Sequence, residues 1–195
     1  MNLKVEWQAH EDEIHIRLTA NIDKNQYVAF GLRPNQQEKV DMINSDLVVA
    51  YYDDFDGSYH AVDYSVTART ECNGVRGVCP DERVNGRNDA AVISGERRNG
   101  ITTITFKRPY ETSDQMDIEI PRHQEEKAII AVIGTLNQMK EANYHSEFIT
   151  TEYDVVDFKA IGDNRCLMTI AKPPPRYEPW PVNTIRGATN LSFTL

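Results

Sequence analysis

Met42 and His145 are the two residues whose types could do chemistry together, because a thioether and an imidazole are both ligands for a transition metal. Met42 stands in the polar stretch Asp41-Met-Ile-Asn-Ser-Asp46, immediately before the apolar segment Leu47–Tyr52, where a methionine ordinarily fills a gap in a core. His145 stands in Asn143-Tyr-His-Ser146, read as a loop beyond the apolar segment that ends at Gly134, where a histidine is ordinarily hydrogen-bonded or solvated. On residue type alone, both accounts stay open for each residue.

Other constellations have equally plain alternatives. Asp114 and Asp117 have the spacing of an acid/base pair or of calcium ligands, and also that of ordinary turn-forming aspartates. Tyr51, Tyr52, Phe55, Tyr59 and Tyr64 crowd one hairpin-like region, where alternate rings could offer a platform to sugars while the rest enter the core. Arg97-Arg98 and Arg122-His123 read as surface charge or as partners for propionates or acidic glycans. The chain contains no Gly-x-Ser-x-Gly elbow, His-Glu-x-x-His pair or phosphate loop, and its five histidines are scattered at 10, 15, 60, 123 and 145. His10 and His15 are expected in solvent. Hydrolysis therefore has no visible machinery, and a binding module is expected instead.

Cys72 and Cys79 flank a polar, glycine-rich loop, Cys72-Asn-Gly-Val-Arg-Gly-Val-Cys79, whose glycines let it curl until the two sulfurs meet. A disulfide is expected there, against the alternative of two free thiols, and with it an oxidising, extracellular address. The pair is not a c-type haem attachment, because its spacing is wrong and Pro80 follows Cys79. Cys166 is left over, and Asn190-Leu191-Ser192 is a glycosylation sequon that agrees with secretion. With no signal peptide at its start, the sequence is expected to be a segment of a larger secreted protein.

The elements that must position these residues are strands. Glu13–Leu18 alternates apolar Ile14, Ile16 and Leu18 with polar neighbours, as a half-buried strand does, and Ile101–Arg108 repeats the pattern with threonines. Leu3–Trp7, Tyr27–Leu32, Leu47–Tyr52, His60–Val66, Ala90–Glu96, Ala128–Gly134 and Val155–Phe158 bring the expected total to about nine. Asp56-Gly57, Asn73-Gly74, Asn85-Gly86 and Asn99-Gly100 supply turns, the last closing a hairpin of the primed type. No helical period runs beyond two turns. The pattern predicts an all-β sandwich or barrel as one domain over residues 1–171, followed by a proline-rich tail or linker over 172–195 that begins with the run Lys172–Pro181.

The 195 residues are enough for one sizeable core, and 40% hydrophobic with 26% charged residues is ordinary for a folded domain. The net charge of -9 opposes binding to nucleic acid. No apolar stretch reaches the roughly 20 residues that a bilayer-crossing helix needs.

Taken in order, several stretches resemble the DOMON family from Val5 to about Ile170. They are Val5-Glu-Trp7, Tyr27-Val-Ala-Phe-Gly31, Met42-Ile-Asn-Ser-Asp46 with Leu47-Val-Val-Ala50, Asn88-Asp89, Ser94-Gly-Glu-Arg97, Thr105-Phe-Lys-Arg108, Asp114-Gln-Met-Asp117 and Tyr144-His145. Within the family the chain is most similar to the modules of insect cuticle proteins. The resemblance implies an all-β, immunoglobulin-like antiparallel β-sandwich of the DOMON type, related to the cytochrome domain of cellobiose dehydrogenase, which holds haem b between a Met that precedes an apolar strand and a His in a late loop. It therefore implies haem b as cofactor, with Met42 and His145 as axial ligands of the iron, and Arg108, at the end of a Thr-rich strand, as a candidate donor to the propionates against the alternative of a structural salt bridge. A glycine that often follows the family's histidine is absent here, and Met139 and His123 are the neighbouring alternatives. Such a module passes single electrons to or from a redox partner. The alternative that the same resemblance implies is a non-redox module associated with chitin or another glycan.

Overall fold

The computed structural model describes residues 3–34, 42–150, 154–159 and 190–194. Twelve strands and one 3-10 turn are present among them: β1 (Leu3–Ala9), β2 (Glu13–Asn21), β3 (Gln26–Leu32), β4 (Asp46–Asp53), β5 (Ser58–Val66), β6 (Val78–Pro80), the turn Asp81–Arg83, β7 (Ala91–Arg98), β8 (Ile101–Pro109), β9 (Lys127–Leu136), β10 (Ala142–Phe148), β11 (Val155–Val156) and β12 (Asn190–Thr194). They form two antiparallel sheets, one ordered β12-β1-β2-β8-β7 and the other β10-β9-β3-β4-β5-β6 with β11 paired to β9. The expected all-β sandwich is the observed fold. No helix among the described residues is long and apolar enough to cross a membrane.

The two sheets bury their strands differently. β2 alternates strictly, with Ile14, Ile16, Leu18 and Ala20 turned inward, as its period-two sequence requires. Those residues meet Val28, Phe30, Val48, Ala50, Ile129, Ala131 and Ile133 of the second sheet in the main core, which Trp7, Phe106 and Phe158 complete. The Trp7 indole N–H donates to the Phe158 carbonyl at 3.3 Å, so the large ring is buried without an orphaned donor. In the second sheet β3, β4 and β9 are buried on both faces, and Tyr27, Ala29, Leu47, Val49, Tyr51, Tyr64, Ile130 and Val132 form a second apolar cluster on the side away from the first sheet. Near-continuous apolar runs such as Leu47-Val-Val-Ala50 and Ala128–Ile133 are the sequence mark of strands covered on both sides.

The Asn99-Gly100 turn joins β7 to β8 with φ of 53° and 82°, the positive pair that a primed hairpin needs. Three strands lie outside the nine expected. β6 is too short to show a period. β10 covers Asn143–Ser146, expected as a loop. β12 lies beyond the expected boundary at 171 and pairs with β1 as an edge strand. Cys166 and the run Lys172–Pro181 fall outside the described residues. His10 and His15, expected in solvent, are partly buried and pack ring to ring with centroids 4.0 Å apart.

Candidate functional site

The second apolar cluster is incompletely covered, and the gap is a cavity of about 960 Å³ on the outer face of the larger sheet. Tyr27 and Ala29 of β3, Leu47 and Val49 of β4, and Ile130 and Val132 of β9 form its floor. Their side chains point there because they alternate with the residues that face the main core. Met42 and Ala142–His145 also line it, so the two residues singled out by type share one cavity.

Met42 is positioned by a turn. The Ser45 N–H donates to the Met42 carbonyl at 3.1 Å, Asn44 adopts φ 63°, and the Asn44 N–H reaches back to the Val66 carbonyl at 2.7 Å. The thioether packs against the outer apolar cluster.

His145 is positioned by irregularity in β10. The pairing of β10 with β9 shifts register between Ala142 and His145 and again between His145 and Glu147, while His145 itself stands opposite Gly134. Bulges of this kind re-aim a side chain at a sheet edge. The strand is pinned from the floor: Tyr27 Oη donates to the Asn143 carbonyl at 2.9 Å, and the Ala142 N–H donates to Tyr64 Oη at 3.2 Å. Gly134 makes room for Tyr27, since a Cβ there would lie 2.5 Å from the phenol oxygen. Burial pushes the Tyr27 and Tyr64 phenols well above their ordinary range, so both stay neutral hydrogen-bonding groups. Burial also lowers the pKa of His145, which favours the neutral imidazole that a metal requires. The Tyr144 ring stacks on the imidazole at 4.9 Å and 15°, and Tyr144 itself is 80% exposed.

The facing wall is the segment between β5 and β6, which contributes Arg69, Thr70, Glu71, Asn73 and Arg76, together with Val78 at the start of β6. The Cys72–Cys79 disulfide is formed, with Cα atoms 4.7 Å apart, and ties this wall to β6. Asn73 Oδ1 accepts from the N–H groups of Val75 and Arg76 at 3.0 and 2.9 Å. Gly77, at φ 126°, brings its backbone so close to Glu71 that a Cβ would lie 2.5 Å from the Glu71 carbonyl oxygen.

Arg108 is not part of this cavity. It belongs to the inner face of β8, like Ile104 and Phe106, and its guanidinium donates to both carboxylate oxygens of Asp46 at 3.0 and 2.6 Å and lies 3.2 Å from Asp117. Burial works against its charge, but the carboxylates of Asp46, Asp63 and Asp117 outweigh burial and hold it protonated. The salt bridge, not contact with a cavity ligand, is what its position provides. The guanidinium groups that do line the cavity are Arg69 and Arg76, which the sequence reading passed over; their one signal was proximity to the disulfide loop. Arg97 bonds Thr102, Arg98 lies 3.6 Å from Glu96, Arg122 pairs with Asp12 and Glu111, and exposed His123 pairs with Glu125. Met139 is an exposed side chain outside the cavity lining. Of the aromatic group in the β4–β5 hairpin, Tyr51 and Tyr64 are buried, Tyr59 packs against the main core and half-buried Tyr52 lies against Tyr59, leaving Phe55 as the exposed ring.

A family model described as DOMON domain matches residues 1–133. The chain is also 31% identical over 144 residues to Protein Skeletor, isoforms B/C and isoforms D/E, of Drosophila melanogaster. The match covers 73% of this chain and 18% and 9% of those two proteins, so the chain spans less than a fifth of the length of the curated relatives it matches.

Proposed function

The chain belongs to the DOMON family, and from that premise we propose that it is a haem b-binding module that carries single electrons for a partner domain or protein. One observation carries the reading: Met42 and His145, far apart in sequence, line one apolar cavity. Its volume of about 960 Å³ is within the range usual for cofactor sites, about 300–1,000 Å³. The donor set fits as well, since a thioether and a neutral imidazole are soft and borderline ligands that oxygen-preferring ions do not select.

In this reading His145 supplies the imidazole, with its ring plane braced by Tyr144, and Met42 supplies the sulfur. Held by these two residues, the group would supply one-electron, outer-sphere chemistry at a raised reduction potential. The apolar floor residues would keep water from it. Arg69 and Arg76 are suited to carboxylate substituents at the mouth, the role first considered for Arg108. The disulfide supports an extracellular setting, because such bonds persist in oxidising compartments.

Titrating the purified chain with hemin tests this. Saturable binding of one equivalent with a low-spin visible spectrum is expected. Met42→Ala and His145→Ala should each convert the spectrum to a high-spin form or abolish binding, with the sandwich's circular dichroism unchanged.

A second reading, a non-redox module for chitin or a related glycan, is favoured by the exposed Tyr144 ring beside the same cavity. Retention on insoluble chitin that Tyr144→Ala removes, together with a flat hemin titration, would select it.

A further inference from the structure

Three turns meet at one end of the larger sheet: residues 22–25 between β2 and β3, 54–57 between β4 and β5, and 137–141 between β9 and β10. Ion pairs join them. Lys140 Nζ lies 2.9 Å from Asp53 Oδ1 and 3.9 Å from Asp54 Oδ1, and Lys24 Nζ lies 3.8 Å from Asp54 Oδ2. The Leu136 N–H donates to the Asn25 carbonyl at 2.8 Å.

Two large apolar side chains stand out from this end. Phe55, 93% exposed, is the most exposed large hydrophobic side chain among the described residues, and Met139 is 64% exposed. Both turns are fixed by hydrogen bonds. The Phe55 N–H donates to Asp53 Oδ1 at 3.0 Å, the Ser58 N–H donates to Asp56 Oδ1 at 2.9 Å, and the Gly57 N–H closes onto the Asp53 carbonyl at 2.9 Å. Asn137 Oδ1 accepts from the N–H groups of Met139 and Glu141 at 2.9 and 3.0 Å. A single exposed hydrophobe needs no explanation. Two on neighbouring turns that are ordered in advance form an anchor pair, because docking then costs little conformational entropy, and Phe and Met are types enriched at interfaces.

The rim around the anchors is acidic. Asp23, Asp53, Asp54 and Asp56 stand against Lys24 and Lys140, while Glu141 is engaged by Arg83 at 2.7 Å. Hydrogen bonds from Lys140 and the Phe55 N–H hold the Asp53 carboxyl below its ordinary range, and those from Ser58 do the same for Asp56, so both are ionised at neutral pH.

We propose that this end of the sheet docks a partner protein whose surface offers an apolar socket for Phe55 and Met139, ringed by lysine or arginine side chains. Charge decides among the occupants. A basic rim meets the aspartates beside Phe55 with favourable sign, whereas a second copy of this chain, at net charge -9, or an anionic lipid surface brings like charge against them. The socketed side chains supply the affinity, and the carboxylates supply orientation and encounter rate. None of these turn residues lines the cavity of Met42 and His145, so the inference stands whether or not the chain holds haem.

The test uses cytochrome c, which presents an apolar face ringed by lysines, as the probe. It is titrated at low ionic strength into the nitrogen-15-labelled chain without hemin, and amide shifts are followed residue by residue. Shifts concentrated in residues 53–58 and 137–141 are expected. Phe55→Ala, and separately the pair Asp54→Asn with Asp56→Asn, should each weaken binding by about tenfold or more, the loss typical of an anchor. These three positions are exposed, and asparagine keeps the oxygen acceptor of each aspartate, so the fold is not at stake. Asp12→Asn with Glu111→Gln removes the same charge at the far end of β2 and should change binding by less than about twofold, because salt screens charges at that distance. No binding, shifts centred elsewhere, an equal loss in the control pair, or binding indifferent to Phe55→Ala overturns the proposal. Sedimentation of the chain alone should show a monomer; a dimer that Phe55→Ala dissolves assigns the anchors to a second copy and overturns it as well.

Discussion

Asp46 and Leu47 are consecutive, and the pleat sends them to opposite faces: the first clamps Arg108 inside the sandwich and the second floors the outer cavity. This is why a reading from residue types assigned Arg108 to a ligand it does not reach. Arginine at the end of a strand is as suited to a propionate as to an aspartate, and only the register of β8 against β2, with Ile14 opposite Arg108, decides which face it occupies. Its structural role makes a definite prediction. Arg108→Met leaves Asp46 and Asp117 buried without their cation and should cost about 3–5 kcal/mol, the usual penalty for breaking a buried pair. Urea unfolding measures the loss; hemin affinity of the fraction that remains folded should be unchanged.

At the scale of elements, the walls of the cavity are a bulged edge strand and a disulfide-closed loop. The eight-residue segment closed by Cys72–Cys79 restrains the unfolded chain, so replacing both cysteines by serine should lower stability by about 2–3 kcal/mol. Because the same segment presents Arg76 and adjoins Arg69, the double variant should also bind hemin more weakly than its stability loss alone explains, as titration of the folded variant would reveal. Much of this architecture was legible beforehand. Alternation in Glu13–Leu18 and Ile101–Arg108 identified half-buried strands, and Asn99-Gly100 identified a hairpin, because both signals are local. The glycines around Cys72 made the disulfide legible for the same reason. β10 was not legible, since two register shifts within seven residues erase the period-two pattern by which a strand is recognised. The unalternating runs Leu47–Tyr52 and Ala128–Ile133 imply a sheet with apolar residues on both sides, but not which side carries the cavity that Met42 and His145 line. Asp46, Asp63, Asp81, Asp114 and Asp117 gather from segments running from β4 to the loop beyond β8, so no sequence window contained them, and Asp114 and Asp117 alone stood out by their spacing.

For the molecule as a whole, the two faces of the larger sheet predict different dependences on solution conditions. Burial raises Asp81 to about 7 and Asp63 to about 9, the neighbouring charges being Arg108, Asp46, Asp117 and Asp114. The folded state therefore holds protons that the unfolded chain has released above pH of about 4, and stability should fall as pH rises through neutrality towards 9; melting temperatures across this pH range provide the check. On the other face, the proposed electron transfer requires that the sulfur of Met42 and the imidazole of His145 hold one and the same haem. The most direct test is the near-infrared absorption of the ferric, hemin-saturated chain, where thioether ligation gives a weak sulfur-to-iron charge-transfer band. The account predicts that band in the parent chain, its loss in Met42→Ala, and loss of the low-spin spectrum in His145→Ala. A parent chain that takes up no hemin, or that takes it up with a spectrum indifferent to both substitutions, would contradict it.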